Sequence, residues 1–263
     1  MFEEIVLFGK VISPYSILAI IGSLSAGAYA CNKAKKRTGD DNDMLVLLLI
    51  SAIGVIFGGR ILYGITNYKA VVNLFSDLSV IKSFKDFVDY CVQIFGGAVY
   101  YGGLIGGIAV GFIYMKKKHY DMDLYSDIAA PAIPLLHFFG RIGCFLVGCC
   151  YGQECSLGFT YEHSLIEMAN GVRRFPIQLV EAAFNLCLFF VLDYLYRHEK
   201  LRGKLLYVYL IAYPIARFII EFFRGDDYRG FLFGLSTSQL ISIGFVVFSA
   251  VMLIKRRQRS AKA

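Results

Sequence analysis

Apolar runs of about 20 residues recur along the whole chain, and that is the length a helix needs to cross a hydrocarbon core about 30 Å thick. Seven such runs lie near residues 12–30, 45–65, 94–115, 128–151, 177–196, 205–223 and 239–254. In lipid every backbone N–H and C=O must be satisfied within the segment, so runs of this kind fold as helices. Together they leave no room in 263 residues for a second folded domain. The expected fold class is all-α: a polytopic membrane protein with about seven transmembrane helices in a single integral-membrane domain, residues 1–263.

The charges agree with this reading. Only 18% of residues are charged, against about 25% in soluble domains. The net charge of +7 would suggest nucleic acid in a soluble protein. Here, however, 16 of the 27 Lys and Arg residues sit in four clusters, after the first, third, fifth and seventh runs. Basic loops stay in the cytoplasm. The rule predicts an external N-terminus and a cytoplasmic C-terminus, with 66–93, 152–176 and 224–238 outside. Asp77, Asp86 and Asp89 stand beside aromatics in 66–93, which reads as an interfacial external arm. The basic clusters then face anionic membrane lipids, and no nucleic-acid partner is expected. Glu3 and Glu4 against a single Lys10 give the start of the chain the wrong sign for a signal peptide, so the first run reads as a retained span.

An ionisable side chain inside a bilayer is costly, and it marks a functional site unless it snorkels or pairs across helices. Arg60 lies late in the second run, Arg141 late in the fourth, and Arg217 inside the sixth. Arg217, Glu221 and Arg224 follow i, i+4, i+7 spacing, which puts all three on one face of a continuous helix. Arginines gathered at one depth want an anion, and guanidinium forks grip phosphate bidentately. Glu181, in the fifth run after Pro176, reads as a structural partner for an arginine or as a base. The glycines around Arg60 and Arg141, and those in 102–107, suit either close helix packing or backbone contact with a ligand.

Cys144, Cys149, Cys150 and Cys155 cluster at spacings that match no CxxC zinc pattern. Packing, a disulfide, a metal or covalent chemistry all remain open for them. No metal ligand set and no cofactor is assigned.

The stretch His137-Phe138-Phe139-Gly140-Arg141-Ile142-Gly143-Cys144-Phe145-Leu146-Val147-Gly148-Cys149-Cys150-Tyr151-Gly152 resembles the signature of the prolipoprotein diacylglyceryl transferase family. Four more stretches do so in the same order: 58–63, 101–106, 176–181 and 216–224. The resemblance covers most of the chain and implies an external N-terminus. It also implies an activity: transfer of a diacylglyceryl group from phosphatidylglycerol to the thiol of a lipoprotein precursor's cysteine, which the precursor presents in a signal-peptide lipobox. The implied location is the bacterial cytoplasmic (inner) membrane, as a multi-pass protein.

By this resemblance Arg141 and Arg217 are the essential arginines, and Tyr101 stands at the catalytic-loop histidine position. Arg60, Gly102, Gly103, Gly152, Glu181, Glu221, Arg224 and Tyr15 are the implied substrate-binding residues. The sequence departs from the pattern at Tyr101, at Cys144 in place of an asparagine, at Cys149 in place of a glutamate, and at Phe175 and Val180. These departures motivate one rival, a transferase of the same fold acting on a different acceptor; a second rival is a non-enzymatic lipid-binding or transport protein. Against transport, the chain shows no paired discontinuous helices.

Overall fold

A computed structural model describes residues 5–7, 10–68, 97–164, 166–226, 231–232 and 234–260, with Val72, Ser83 and Lys85 singly. Most of the arm expected at 66–93, and the start of the third run, lie outside the described residues.

The chain forms a short hairpin, β1 (Ile5–Leu7) with β2 (Lys10–Ile12), and then α1 (Pro14–Thr38), α2 (Asn42–Thr66), α3 (Tyr100–Lys118) and α4 (Met122–Val147). It continues through β3 (Glu154–Thr160), β4 (Arg173–Arg174), α5 (Ile177–Arg197) and α6 (Leu205–Ile220), and ends in β5 (Phe231–Leu232), β6 (Leu235–Ser236) and α7 (Thr237–Ser260). The sheets are two-stranded antiparallel pairs, so helices carry the architecture. Six helical segments are long and apolar enough to cross a membrane: Pro14–Thr38, Asn42–Thr66, Met122–Val147, Ile177–Arg197, Leu205–Phe223 and Thr237–Gln258. The protein is therefore a multi-pass, mostly helical membrane protein. The glycine-rich α3 is the remaining long helix among the described residues.

Two boundaries differ from the sequence reading for physical reasons. The fourth apolar run starts earlier as a helix and stops at Val147, because Gly148 takes φ +81° and caps the helix with its N–H on Cys144 O (3.0 Å). The sixth apolar run tightens into a 3-10 turn at Glu221–Phe223, and Arg224 is extended, so Arg217, Glu221 and Arg224 do not share one α-helical face.

The chain divides into two compact units. One is residues 41–122, the antiparallel pair α2 and α3. Here backbone meets backbone: a Cβ added at Gly58 would lie 2.3 Å from Gly102 O, and one at Gly54 would lie 2.4 Å from Gly106 O. Small residues at a helix crossing allow this approach, which is how membrane helices gain dispersion contact where lipid supplies no hydrophobic drive. Tyr120 Oη closes the open end of the pair by donating to Asp43 (2.7 Å). The outer face of α2 carries Leu49, Ile53, Ile56 and Phe57, all more than half exposed, as a lipid-facing surface requires.

The other unit holds residues 1–40 and 123–263. α6 packs against both α5 and α7. α1 approaches α4 where Gly22 faces Phe139 and Gly143 faces Tyr15. At one end, Asp193 of α5 gathers Tyr29 (2.7 Å) and Lys33 (2.7 Å) of α1 and its own neighbour Arg197 (2.6 Å). Asp127 of α4 accepts the backbone N–H groups of Gly203 and of Leu205 (2.9 Å), fixing the turn that starts α6. The segment expected as the external loop 152–176 is folded: β3 pairs β4, and Arg174 lies over the Tyr151 ring at 4.2 Å.

Candidate active site

The C-terminal parts of α4 and α6 and the N-terminal part of α5 meet in a buried ion cluster. Arg141, Glu181, Arg217 and Glu221 are 7%, 1%, 4% and 5% exposed. Charges so deeply buried are tolerated only when paired and hydrogen-bonded. Arg141 Nη2 reaches Glu181 Oε1 at 3.1 Å, and Arg217 Nη1 reaches Glu181 Oε2 at 3.2 Å. Arg217 Nη2 reaches Glu221 Oε2 at 2.6 Å, and Arg224 Nη1 lies 3.8 Å from the same oxygen. Arg224 also donates Nε to Asp226 Oδ1 (2.8 Å) and Nη2 to Asp226 Oδ2. Three arginines thus meet three carboxylates, and the cluster is neutral as it stands.

Neutral groups complete the shell. Tyr213 Oη donates to Glu181 Oε1 (3.0 Å), and Arg141 Nε donates to His137 Nε2 (3.2 Å). Asn185 Nδ2 donates to Glu181 O (2.8 Å). The sequence reading did not select these three residues. The signal was one helical turn: His137 precedes Arg141 by four, Tyr213 precedes Arg217 by four, and Asn185 follows Glu181 by four.

The chain's crossing beyond α4 sits beside this cluster. Gly152 pairs with Arg224 as an isolated antiparallel bridge, and a Cβ on it would lie 2.4 Å from Phe175 O. Gln153 N donates to Phe223 O (2.9 Å) and Gly225 N to Tyr151 O (3.1 Å). Only glycine lets the segments leading into α5 and out of α6 close on one point. Gln178, 1% exposed, donates Nε2 to Cys149 O (2.7 Å) and to Tyr161 Oη (3.3 Å). Burial pushes the Tyr161 phenol up to about 12, so it stays protonated at neutral pH. Tyr15 opens α1 against Gly143, within one turn of Arg141 on α4.

The remaining expected residues belong to the 41–122 unit. Arg60 is exposed near the end of α2, and Tyr101 is buried in the first turn of α3. Gly102 lies against Gly58, and a Cβ on Gly103 would lie 3.1 Å from Val55 Cγ1, so both serve the helix crossing.

Arginines held in pairs on buried carboxylates in a multi-pass membrane protein define an intramembrane ionic site. The chain belongs to the prolipoprotein diacylglyceryl transferase family, whose model matches residues 4–255. It is 34% identical over 250 residues to the phosphatidylglycerol–prolipoprotein diacylglyceryl transferase of Clostridium tetani, covering 92% of this chain and 94% of that one. A second transferase of that name from Clostridium perfringens is 34% identical, covering 94% of this chain and 91% of that protein. The corresponding protein of Campylobacter hominis is 32% identical over 264 residues, covering 97% and 92%. The resemblance read from the residues alone is thereby established.

Proposed function

We propose that this protein transfers the diacylglyceryl group of phosphatidylglycerol to the lipobox cysteine of a lipoprotein precursor's signal peptide, in the bacterial cytoplasmic membrane. The whole chain, residues 1–263, works as one transferase domain. α3 is the seventh span, the N-terminus is external and the C-terminus cytoplasmic. The observation that carries this reading is the pair of buried guanidinium groups, Arg141 and Arg217, sharing Glu181.

In the reaction the precursor's sulfur attacks the glyceryl carbon, a C–S bond forms, and the C–O bond to phosphate breaks. Glycerol phosphate leaves with the electron pair, and the thiol's proton leaves before or with attack. Arg141 and Arg217 hold the phosphate and stabilise the charge that grows on the leaving group. Glu181 and Glu221 aim the two forks, and Tyr213 and His137 fix the partners. Arg224 serves by structural pairing, with Asp226 and Glu221. By family resemblance Tyr101 assists where the family has histidine. The same resemblance assigns Arg60, Gly152 and Tyr15 to contact with donor or acceptor, while Gly102 and Gly103 serve the helix crossing.

The test is complementation of a conditional transferase-depletion strain, with acylation of a reporter lipoprotein read by mass spectrometry. Rescue with the diacylglyceryl mass on the reporter cysteine supports the reading. Failure to rescue, with the protein inserted and stable, points to another acceptor or to a non-enzymatic role.

A further inference from the structure

We propose that Cys144, Cys149 and Cys150 form a binding site for one soft, thiophilic d10 cation, such as Zn2+ or Cu+, at the end of α4. The three Sγ atoms lie within 4.8 Å of one another. The spacing 144, 149, 150 does not match a zinc motif, and backbone geometry supplies the convergence instead. Gly148 at φ +81° ends the helix, and Cys150 at φ +56° turns the chain back. A positive φ outside glycine costs of order 1–3 kcal/mol and collects at functional positions. The turn is held from both sides. Gly148 N and Cys149 N both donate to Cys144 O, at 3.0 and 3.1 Å, and the buried Gln178 amide donates to Cys149 O at 2.7 Å. A Cβ on Gly148 would strike Ser164 Oγ at 2.7 Å, so this turn accepts only glycine there.

Thiolates select soft cations. Tetrahedral zinc, with Zn–S bonds of about 2.3 Å, sets its sulfurs about 3.8 Å apart. The cluster reaches that by closing about 1 Å, within the reach of cysteine χ1 rotations. The three residues are half-buried rather than sealed, which leaves a fourth coordination position for water or another donor. Binding displaces the thiol protons. The bound ion pins the turn that Gln178 ties to α5, the helix of Glu181, and takes no part in group transfer. The site is independent of the assigned activity.

The test uses the full-length, detergent-solubilised, reduced protein and Cd2+ as probe, read by sulfur-to-metal charge-transfer absorption and elemental analysis. One Cd2+ per chain is expected in the unaltered protein and in Cys187→Ser, whose thiol is exposed on α5. Affinity should fall at least tenfold in each of Cys144→Ser, Cys149→Ser and Cys150→Ser, compared in monodisperse fractions. A second measurement needs no variant: Zn2+ should shield these three cysteines, and not Cys187, from alkylation mapped by mass spectrometry. The proposal is overturned if the reduced protein neither binds Cd2+ nor gains shielding. Undiminished binding in Cys150→Ser overturns it too. So does a disulfide joining two of the three in acid-trapped protein taken directly from cells.

Discussion

Arg141 and Arg217, on different helices and 76 residues apart in sequence, are held on opposite oxygens of the same carboxylate, Glu181, at 3.1 and 3.2 Å. The proposed chemistry needs the planar forks and not only the charge. Lysine keeps +1 but cannot present two parallel donors. Arg141→Lys and Arg217→Lys should each lower lipid transfer by about a hundredfold, if one charge-assisted transition-state contact is worth about 3 kcal/mol. Insertion should be unaffected, because both residues cost about the same on insertion scales. Transfer assays beside the yield of detergent-stable protein decide the matter; near-normal transfer in both variants would remove the phosphate clamp from the argument.

Arg224 answers differently. Its side chain is 9% exposed and grips Asp226 through two nitrogens, so it is not the aqueous-edge group its position in sequence suggests. Arg224→Lys should cost stability through the lost fork and reduce turnover far less than Arg217→Lys. A turnover loss matching that of Arg217→Lys, at equal thermal midpoint, would instead put Arg224 on the substrate.

Removing the shared anion tests the ion cluster itself. Glu181→Gln keeps a carbonyl for Tyr213 but leaves two buried cations short of one countercharge, a change worth about 3–5 kcal/mol when a buried pair is broken. The variant should unfold earlier in neutral detergent. Added phosphatidylglycerol should raise its midpoint more than it raises that of the unaltered protein, since lipid phosphate supplies the missing charge. Equal stabilisation of both would argue that the headgroup does not meet these arginines.

The glycine crossing gives a contrast free of catalysis. Gly58→Ala drives a methyl into Gly102 O, and overpacking of this kind costs about 1–3 kcal/mol. Gly140→Ala, next to Arg141, meets nothing within 4 Å and should be neutral or stabilising. Thermal midpoints of the two variants in one detergent should separate by several degrees, and coincident midpoints would refute the close approach.

Topology is open to direct measurement. Reporter fusions at Lys36, Lys117 and Lys200 should read cytoplasmic, and a fusion within 66–93 external. An external signal at Lys117 would rule out α3 as a span and reverse every later loop.

The helices were legible because lipid forces long apolar runs into one conformation. The charged site residues were legible because each is an anomaly in such a run. Glu181 was legible as a partner for an arginine, but not as the shared partner of Arg141 and Arg217, since it finds both across helices and no spacing encodes that. The face expected for Arg217, Glu221 and Arg224 failed because the chain tightens at Glu221 and straightens at Arg224. Glu221 still receives both arginines, Arg217 at 2.6 Å and Arg224 at 3.8 Å, by that tighter path. The folded segment between α4 and α5 was hidden because β3 is mostly exposed with no period-two burial, and β4 is only two residues long. The convergence of the cysteines was hidden because it depends on two left-handed residues, one of them not glycine.

The contact between Gly54 and Gly58 on α2 and Gly106 and Gly102 on α3 has a consequence for assembly. A helix face stripped of side chains is a furrow that branching acyl chains fill badly, so α2 alone in the bilayer wastes contact area. α3 is the next long helix among the described residues, and it carries the matching furrow. At this register the pair meshes through Gly54 with Gly106 and Gly58 with Gly102, each with a partner carbonyl oxygen within 2.4 Å of where a Cβ would stand. The hairpin is thus self-indexing. It can find its final alignment in the membrane before the helices that carry Arg141 and Arg217 have left the ribosome.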